Sequence, residues 1–274
     1  MKNLATFKND VCLIAGSGSF AHEAATFLNI KGNLKKIILL AKNNNIKKDF
    51  NKICFHYDIR NLETIITDIK KKNIQDVIII GYVELPPIKE IKLSLKSKFH
   101  LSKDFFLNNI NQQSLILKRF LNKKNINLLS QKKIFKSFLI NRDDQLIKKD
   151  HKPIVLKILH NLSYIKKIFN LNLAQSLIMN GNRVLAIEDF NGTNNLINRV
   201  DSNKINYSEL IFIKSKKKHQ IDEIDFPVIG SETIELLIKK KYKVICLFNN
   251  QSIVSNKSIF LKNIKKLNIS LLVI

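Results

Sequence analysis

Apolar residues in this chain fall into short blocks separated by polar ones, and the spacing inside each block predicts an element. Val11–Ala15 is an uninterrupted apolar run that ends in Gly16-Ser17-Gly18-Ser19. Over Phe20–Lys31 the apolar residues recur at helical spacing (Phe20, Ala24, Phe27, Leu28). Lys36–Ala41 reads as a second strand, Leu62–Lys72 as an amphipathic helix with Leu62, Ile65, Ile66 and Ile69 on one face, and Val77–Ile80 as a buried strand. Continuous apolar strands alternating with helices imply a parallel sheet covered on both faces. A helical pattern spans Leu101–Lys124, and a strand is expected near Lys133–Ile140.

Asn141–Pro153 (NRDDQLIKKDHKP) is the most polar stretch and reads as a linker, so the expected domains are 1–145 and 146–274. A helix over Ile154–Leu171 opens the second domain. A hairpin follows, Ala174–Met179 and Val184–Ile187 about the turn Asn180-Gly181-Asn182. Next come a helix near Asn194–Val200, a strand Leu210–Lys214, and a polar loop Ser215–Pro227. A helix Ser231–Lys240 capped by Ser231, a strand Val244–Phe248, a helix Lys257–Leu267 and a strand Leu271–Ile274 complete it. The fold class is therefore α/β, with two α/β domains, the first Rossmann-like.

Composition narrows the functional classes. Of 274 residues 45% are hydrophobic, enough for a real core, and no apolar run approaches the roughly 20 residues of a membrane helix. Cys12, Cys54 and Cys246 lie far apart in apolar surroundings and read as buried reduced thiols of a cytoplasmic protein. The net charge of +25 comes from lysines scattered through the chain, without an arginine-rich arm. That pattern predicts affinity for anions, phosphorylated ligands and anionic membrane surfaces rather than specific nucleic-acid binding.

Three places carry candidate chemistry. Gly16-Ser17-Gly18-Ser19-Phe20-Ala21 lies between strand and helix, where glycines let a phosphate approach backbone N–H groups. The second strand ends Leu40-Ala41-Lys42-Asn43, without the carboxylate a dinucleotide fold places there. An NAD(P)-linked oxidoreductase, with Lys42 serving a 2′-phosphate, is the rival reading. Glu188-Asp189-Phe190-Asn191-Gly192-Thr193 follows the hairpin and suits either a metal ligand with a phosphate nest or a turn capped by Thr193. Lys214–Gly230 sets Lys214, Lys217 and Gln220 ahead of Asp222, Glu223 and Asp225, the groups phosphoryl chemistry uses.

Together LIAGSGSFAHEAA, IIIGYVELP, NLAQSLIMNGNRVLAIEDFNGTNNLINRV and DFPVIGSETIELLIKKKYKVICLF resemble the LpxI family, UDP-2,3-diacylglucosamine pyrophosphatases of lipid A biosynthesis. The resemblance implies two α/β domains with the lipid-linked nucleotide held between them. It implies Mg²⁺-dependent hydrolysis by water attack at the α-phosphorus, yielding UMP and 2,3-diacylglucosamine 1-phosphate (lipid X). It assigns Asp225 as the catalytic aspartate and a metal ligand, with Glu188 as a second ligand. Gly16, Ser17, Gly18, Gly81, Tyr82, Gln175, Thr193, Lys214, Lys217 and Gln220 become substrate-binding residues. A homodimer, and a cytoplasmic protein peripheral on the inner face of the inner membrane, complete the expectation.

Departures from the family pattern exchange carboxylates for amides at Asn172, Asn191 and Asn194, and set Asn111-Gln112-Gln113 where the family has Gly-Asp-Asp; Glu223 replaces an arginine. An amide is a neutral, weak metal ligand and no general base. Asp189, Asp222 and Glu223 are the carboxylates at hand to replace them, and a relative that binds the lipid-nucleotide without cleaving it is the alternative.

Overall fold

The computed structural model describes residues 9–41, 44–83, 86, 90–94, 113–200 and 209–274. Lys42, Asn111 and Gln112 lie outside the described residues, as does the first half of the helix expected over Leu101–Lys124. The chain divides into two units, Met1–Phe135 with Gln220–Asp225, and Lys136–His219 with Phe226–Ile274.

In the first unit the elements run β1 (Val11–Ala15), α1 (Phe20–Ile30), β2 (Leu34–Leu39), α2 (Asn44–Asp49), β3 (Cys54–His56), α3 (Leu62–Lys71), β4 (Asp76–Ile80), α4 (Gln113–Lys123), β5 (Asn127–Leu128) and α5 (Gln131–Ile134). The strands form one parallel sheet in the order β3-β2-β1-β4-β5. Helix α3 buries Leu62, Ile65, Ile66 and Ile69, the four residues its periodicity singles out, in a core with Cys12, Ile14, Val77 and Ile79. The strand expected over Lys133–Ile140 is not formed. Ser130 accepts a hydrogen bond from Lys133 N and starts the short helix α5, a 3₁₀ turn covers Lys136–Phe138, and Phe135 packs edge-on to Phe20.

The second unit contains α6 (Lys152–His160), α7 (Leu162–Asn170), β6 (Ser176–Asn180), β7 (Arg183–Ile187), α8 (Gly192–Arg199), β8 (Leu210–Lys214), β9 (Val228–Ile229), α9 (Ser231–Lys239), β10 (Val244–Leu247), β11 (Ile253–Val254), α10 (Lys257–Lys266) and β12 (Ser270–Val273). Its main sheet has the order β12-β10-β8-β6-β7, with β12, β10 and β8 parallel and the hairpin β6–β7 antiparallel at the edge. Alternate residues of each strand enter opposite cores, as the two-residue period requires. Leu177, Ile211 and Val244 face α6 and α7, while Ile178, Phe212 and Ile245 face α8 and α9.

Asn141–Pro153 is no linker. Asn141 and Asp144 form a capping box, Leu146 pairs through its backbone with Leu271, and Lys257 reaches Asp144 at 2.7 Å. The polarity that marks this stretch is spent on ordered hydrogen bonds within the second unit. The helix expected over Ile154–Leu171 is broken at Asn161, whose Nδ2 donates to Lys157 O at 2.8 Å. Gly230, not Ser231, is the residue preceding α9, and it caps without a side chain. All three cysteines are buried thiols; desolvation pushes Cys12 up to about 12 and raises Cys54 and Cys246. Among the described residues no helix is long and apolar enough to cross a membrane.

Candidate functional site

The glycine turn of the first unit is built by two close approaches. Gly16 N donates to Ile80 O at 2.8 Å, Ser17 N to Tyr82 O at 2.9 Å, and Tyr82 N returns to Ser17 O at 3.1 Å. A Cβ on Gly16 would stand 2.2 Å from Tyr82 O, and one on Gly81 2.3 Å from Ser17 O, at a φ of +86° that glycine tolerates. Glycine is thus required here because the β1–α1 turn is stitched to the β4 exit. The sequence reading has this turn approach a phosphate at the helix N-terminus; the Gly16 and Ser17 N–H groups are engaged by carbonyls of the chain. Gly18 differs: its φ is +114° and an added Cβ would meet nothing within 4 Å. Tyr82, paired through its backbone with Ser17, is exposed.

Asp225 closes a segment built into the first unit. Buried Gln131 donates its backbone N–H to Asp222 O at 2.8 Å and its Nε2 to Ile79 O at 2.8 Å and Glu223 O at 3.4 Å. Ile224 packs on the first unit's core, and Glu223 pairs with Lys118 at 3.1 Å. Gln220, itself buried, donates its side-chain amide to Asp225 O. Asp225 is exposed and adopts φ +59°, a left-handed conformation that Asp and Asn accept more readily than other side chains. Periodicity gave no sign of Gln131, because a buried amide in a four-residue helix leaves no pattern.

A second cluster lies at the end of β8. Antiparallel register sets Lys214 opposite Ser176, and the chain leaving β7 brings Glu188 and Thr193 to the same point. Lys214 Nζ, 2% exposed, donates to Thr193 Oγ1 at 2.8 Å and to Ser176 Oγ at 3.0 Å. Thr193 Oγ1 in turn donates to Glu188 Oε1 at 2.6 Å, which lies 4.0 Å from Lys214 Nζ. Glu188 Oε2 is buried and has no hydrogen-bond partner among the described residues. Three of these residues are legible as candidates in the sequence; Ser176 is not, since a serine opening a strand is ordinary. Thr193 does not cap α8, whose hydroxyl is committed to Glu188.

Around this cluster the ion pairs fix the turn. Asp189 accepts from Asn191 N at 2.9 Å and from Arg199 at 2.6 Å; the Asn191 N–H and then the Arg199 charge hold its carboxyl below the ordinary carboxylate range. Asn194 accepts from Thr233 Oγ1 at 2.6 Å and donates to Glu232 at 3.2 Å, a bond a carboxylate could not make. Asn172, at φ +64°, accepts from His219 N at 3.3 Å. The amides at 172 and 194 therefore hold structural posts. Gln175 is half-buried and its carbonyl accepts from Ser215 N at 2.9 Å; Lys217 is half-buried on the loop that follows. An open hollow of about 440 Å³ borders the turn, lined by Leu185, Ala186, Ile187, Arg199 and Val200.

The family model for the LpxI N-terminal domain matches residues 10–138, and that for the LpxI C-terminal domain matches residues 145–272. The chain belongs to the LpxI family. No curated protein matches the chain. LpxI membership supports a role in lipid A biosynthesis and a hydrolase acting on lipid A precursors. The stitched glycine turn falls in the N-terminal match and the Lys214 cluster and Asp225 in the C-terminal one.

Two carboxylates stand as metal ligands in the sequence reading, Asp225 and Glu188, and they differ in fit. Mg²⁺ is usually held by one or two carboxylates, with water and substrate phosphate completing its shell, and exposed Asp225 suits that arrangement. Glu188 already faces the Lys214 ammonium, so a second cation there would meet like charge. Among the described residues no three His, Cys, Asp or Glu side chains are grouped to hold a metal ion.

Proposed function

We propose that this LpxI protein hydrolyses the pyrophosphate of UDP-2,3-diacylglucosamine, water attacking the α-phosphorus to give UMP and 2,3-diacylglucosamine 1-phosphate. The observation that carries the reading is the placement of Asp225: an exposed carboxylate in a left-handed turn, anchored through buried Gln131 and Gln220. Such a carboxylate is held in place before substrate arrives, which is what positioning a nucleophile requires.

In this reading Asp225 orients the attacking water and takes up its proton. The new oxygen–phosphorus bond forms at the α-phosphorus as the bond to the bridging oxygen breaks, and that oxygen leaves with the β-phosphate on the sugar. Lys214, held by Ser176 and Thr193, offsets the charge of a phosphate oxygen, and Lys217 and the exposed Gly18 edge of the glycine turn contribute to binding. Mg²⁺ bound at Asp225 would supply charge neutralisation of the phosphate oxygens. Residence in the cytoplasm against an anionic membrane belongs to the same proposal, as does a homodimer.

The test is hydrolysis in isotopically labelled water. Label recovered in UMP marks attack at the α-phosphorus; label in the lipid phosphate, or no turnover with tight retention of the lipid-nucleotide, would replace this reading with β-attack or with a binding protein.

A further inference from the structure

Residues 151–187 contain no Asp or Glu. Within that stretch, α6 and α7 lie on one face of the second unit's sheet, to which they commit Ile154, Val155, Ile158, Ile165, Ile168 and Phe169. Their outward sides carry Lys152, His160, Ser163, Lys166, Lys167 and Asn170, but large apolar side chains stand exposed among these polar ones. Leu156 (66% exposed), Leu159 and Tyr164 point outward, and Leu171 (66%) and Leu173 (69%) extend the series just past α7. Lys152, Lys166 and Lys167 are exposed among them.

We propose that the outer face of α6 and α7, with Leu171 and Leu173, is a docking surface for an anionic lipid bilayer. Leucine and tyrosine supply apolar area that enters the headgroup boundary, and long lysine side chains reach anionic headgroups while their stems stay apolar. The lysines of an acid-free stretch, among which Lys157 is paired with Glu209 while Lys152, Lys166 and Lys167 are exposed, are complementary to a negative leaflet. An acidic protein partner would use the same charges but gives no reason for five separate outward apolar side chains. A bilayer is the occupant chosen because it does, and because, on the reading proposed above, the substrate resides there. The surface goes beyond that reading in naming the face that docks.

Purified full-length protein is sedimented with vesicles of phosphatidylcholine containing phosphatidylglycerol, and with phosphatidylcholine alone. The triple variant Leu156→Ser, Leu171→Ser, Leu173→Ser is compared with Ile30→Ser, a still more exposed apolar residue of the first unit. Binding to the anionic vesicles is expected to exceed binding to neutral ones, and the triple variant to lose about tenfold in partition while Ile30→Ser keeps it. Far-UV circular dichroism and gel filtration check that the triple variant is folded; Leu171→Glu, which sets a carboxylate against the anionic headgroups, serves if it is not. Equal binding by both variants, no preference for anionic lipid, or dissociation of an oligomer by the triple variant would overturn the assignment. Release of UMP from substrate in detergent micelles separates the two claims: turnover without vesicle binding sinks the surface alone, and vesicle binding without turnover sinks the hydrolase alone.

Discussion

Thr193 stands between Lys214 and Glu188, accepting from the ammonium at 2.8 Å and donating to the carboxylate at 2.6 Å. One hydroxyl thereby carries an ion pair whose charged atoms are 4.0 Å apart, too far for a direct hydrogen bond. Lys214 is buried and Glu188 largely screened from water, so each charge depends on the other.

Lys214→Met leaves the partly buried Glu188 without its countercharge and is expected to cost about 2 kcal/mol of stability, read by urea denaturation. Adding Glu188→Gln to it should recover much of the loss, because no bare charge then remains. Recovery of stability without recovery of turnover would assign Lys214 a role in substrate binding besides its structural one.

Gln131→Ala removes the donors to Ile79 O and Glu223 O and is expected to destabilise the fold by about 1 to 3 kcal/mol. The segment bearing Asp225 loosens with it. Hydrolysis should lose kcat while KM changes little, as for a residue that positions a reacting group.

Gly16→Ala sets a methyl 2.2 Å from Tyr82 O. Thermal unfolding should shift down by more than about 4 °C in a domain of this size. A fully stable variant that merely binds nucleotide less tightly would restore the phosphate role to this glycine.

His151 is buried against Ser270 Oγ at 3.0 Å, and desolvation, then the Lys243 charge, lowers its pKa from the ordinary value of 6.5. Its folded form binds fewer protons than the unfolded chain, so stability is full above the unfolded value and declines as pH falls through it. The melting temperature should drop on acidification below about pH 6.5, and His151→Gln should flatten that slope.

Most of the fold is legible from residue pattern because its strands are buried on both faces and read as unbroken apolar runs, as Val11–Ala15 and Val244–Leu247 do. Short strands such as Cys54–His56 and Asn127–Leu128 carry too few residues to show a period. Asn141–Pro153 misleads because composition reports polarity, not where a hydrogen bond ends: Gln145 and Asp144 bond within the second unit as firmly as a strand would. At the candidate site the sequence identifies Glu188, Thr193 and Lys214 by residue type, but only antiparallel register brings Ser176 to them. The glycines show the converse. Their spacing is read as a ligand loop; the carbonyl that forbids a side chain at Gly16, Tyr82 O, is sixty-odd residues away and invisible locally.

The most direct test is UMP release from UDP-2,3-diacylglucosamine with Mg²⁺ by Asp225→Asn, a substitution that keeps size and tolerates the left-handed backbone at this position. Turnover is expected to fall by at least about 100-fold with unfolding unchanged, since an amide neither accepts the proton nor holds the ion. Wild-type turnover by the variant would contradict the account.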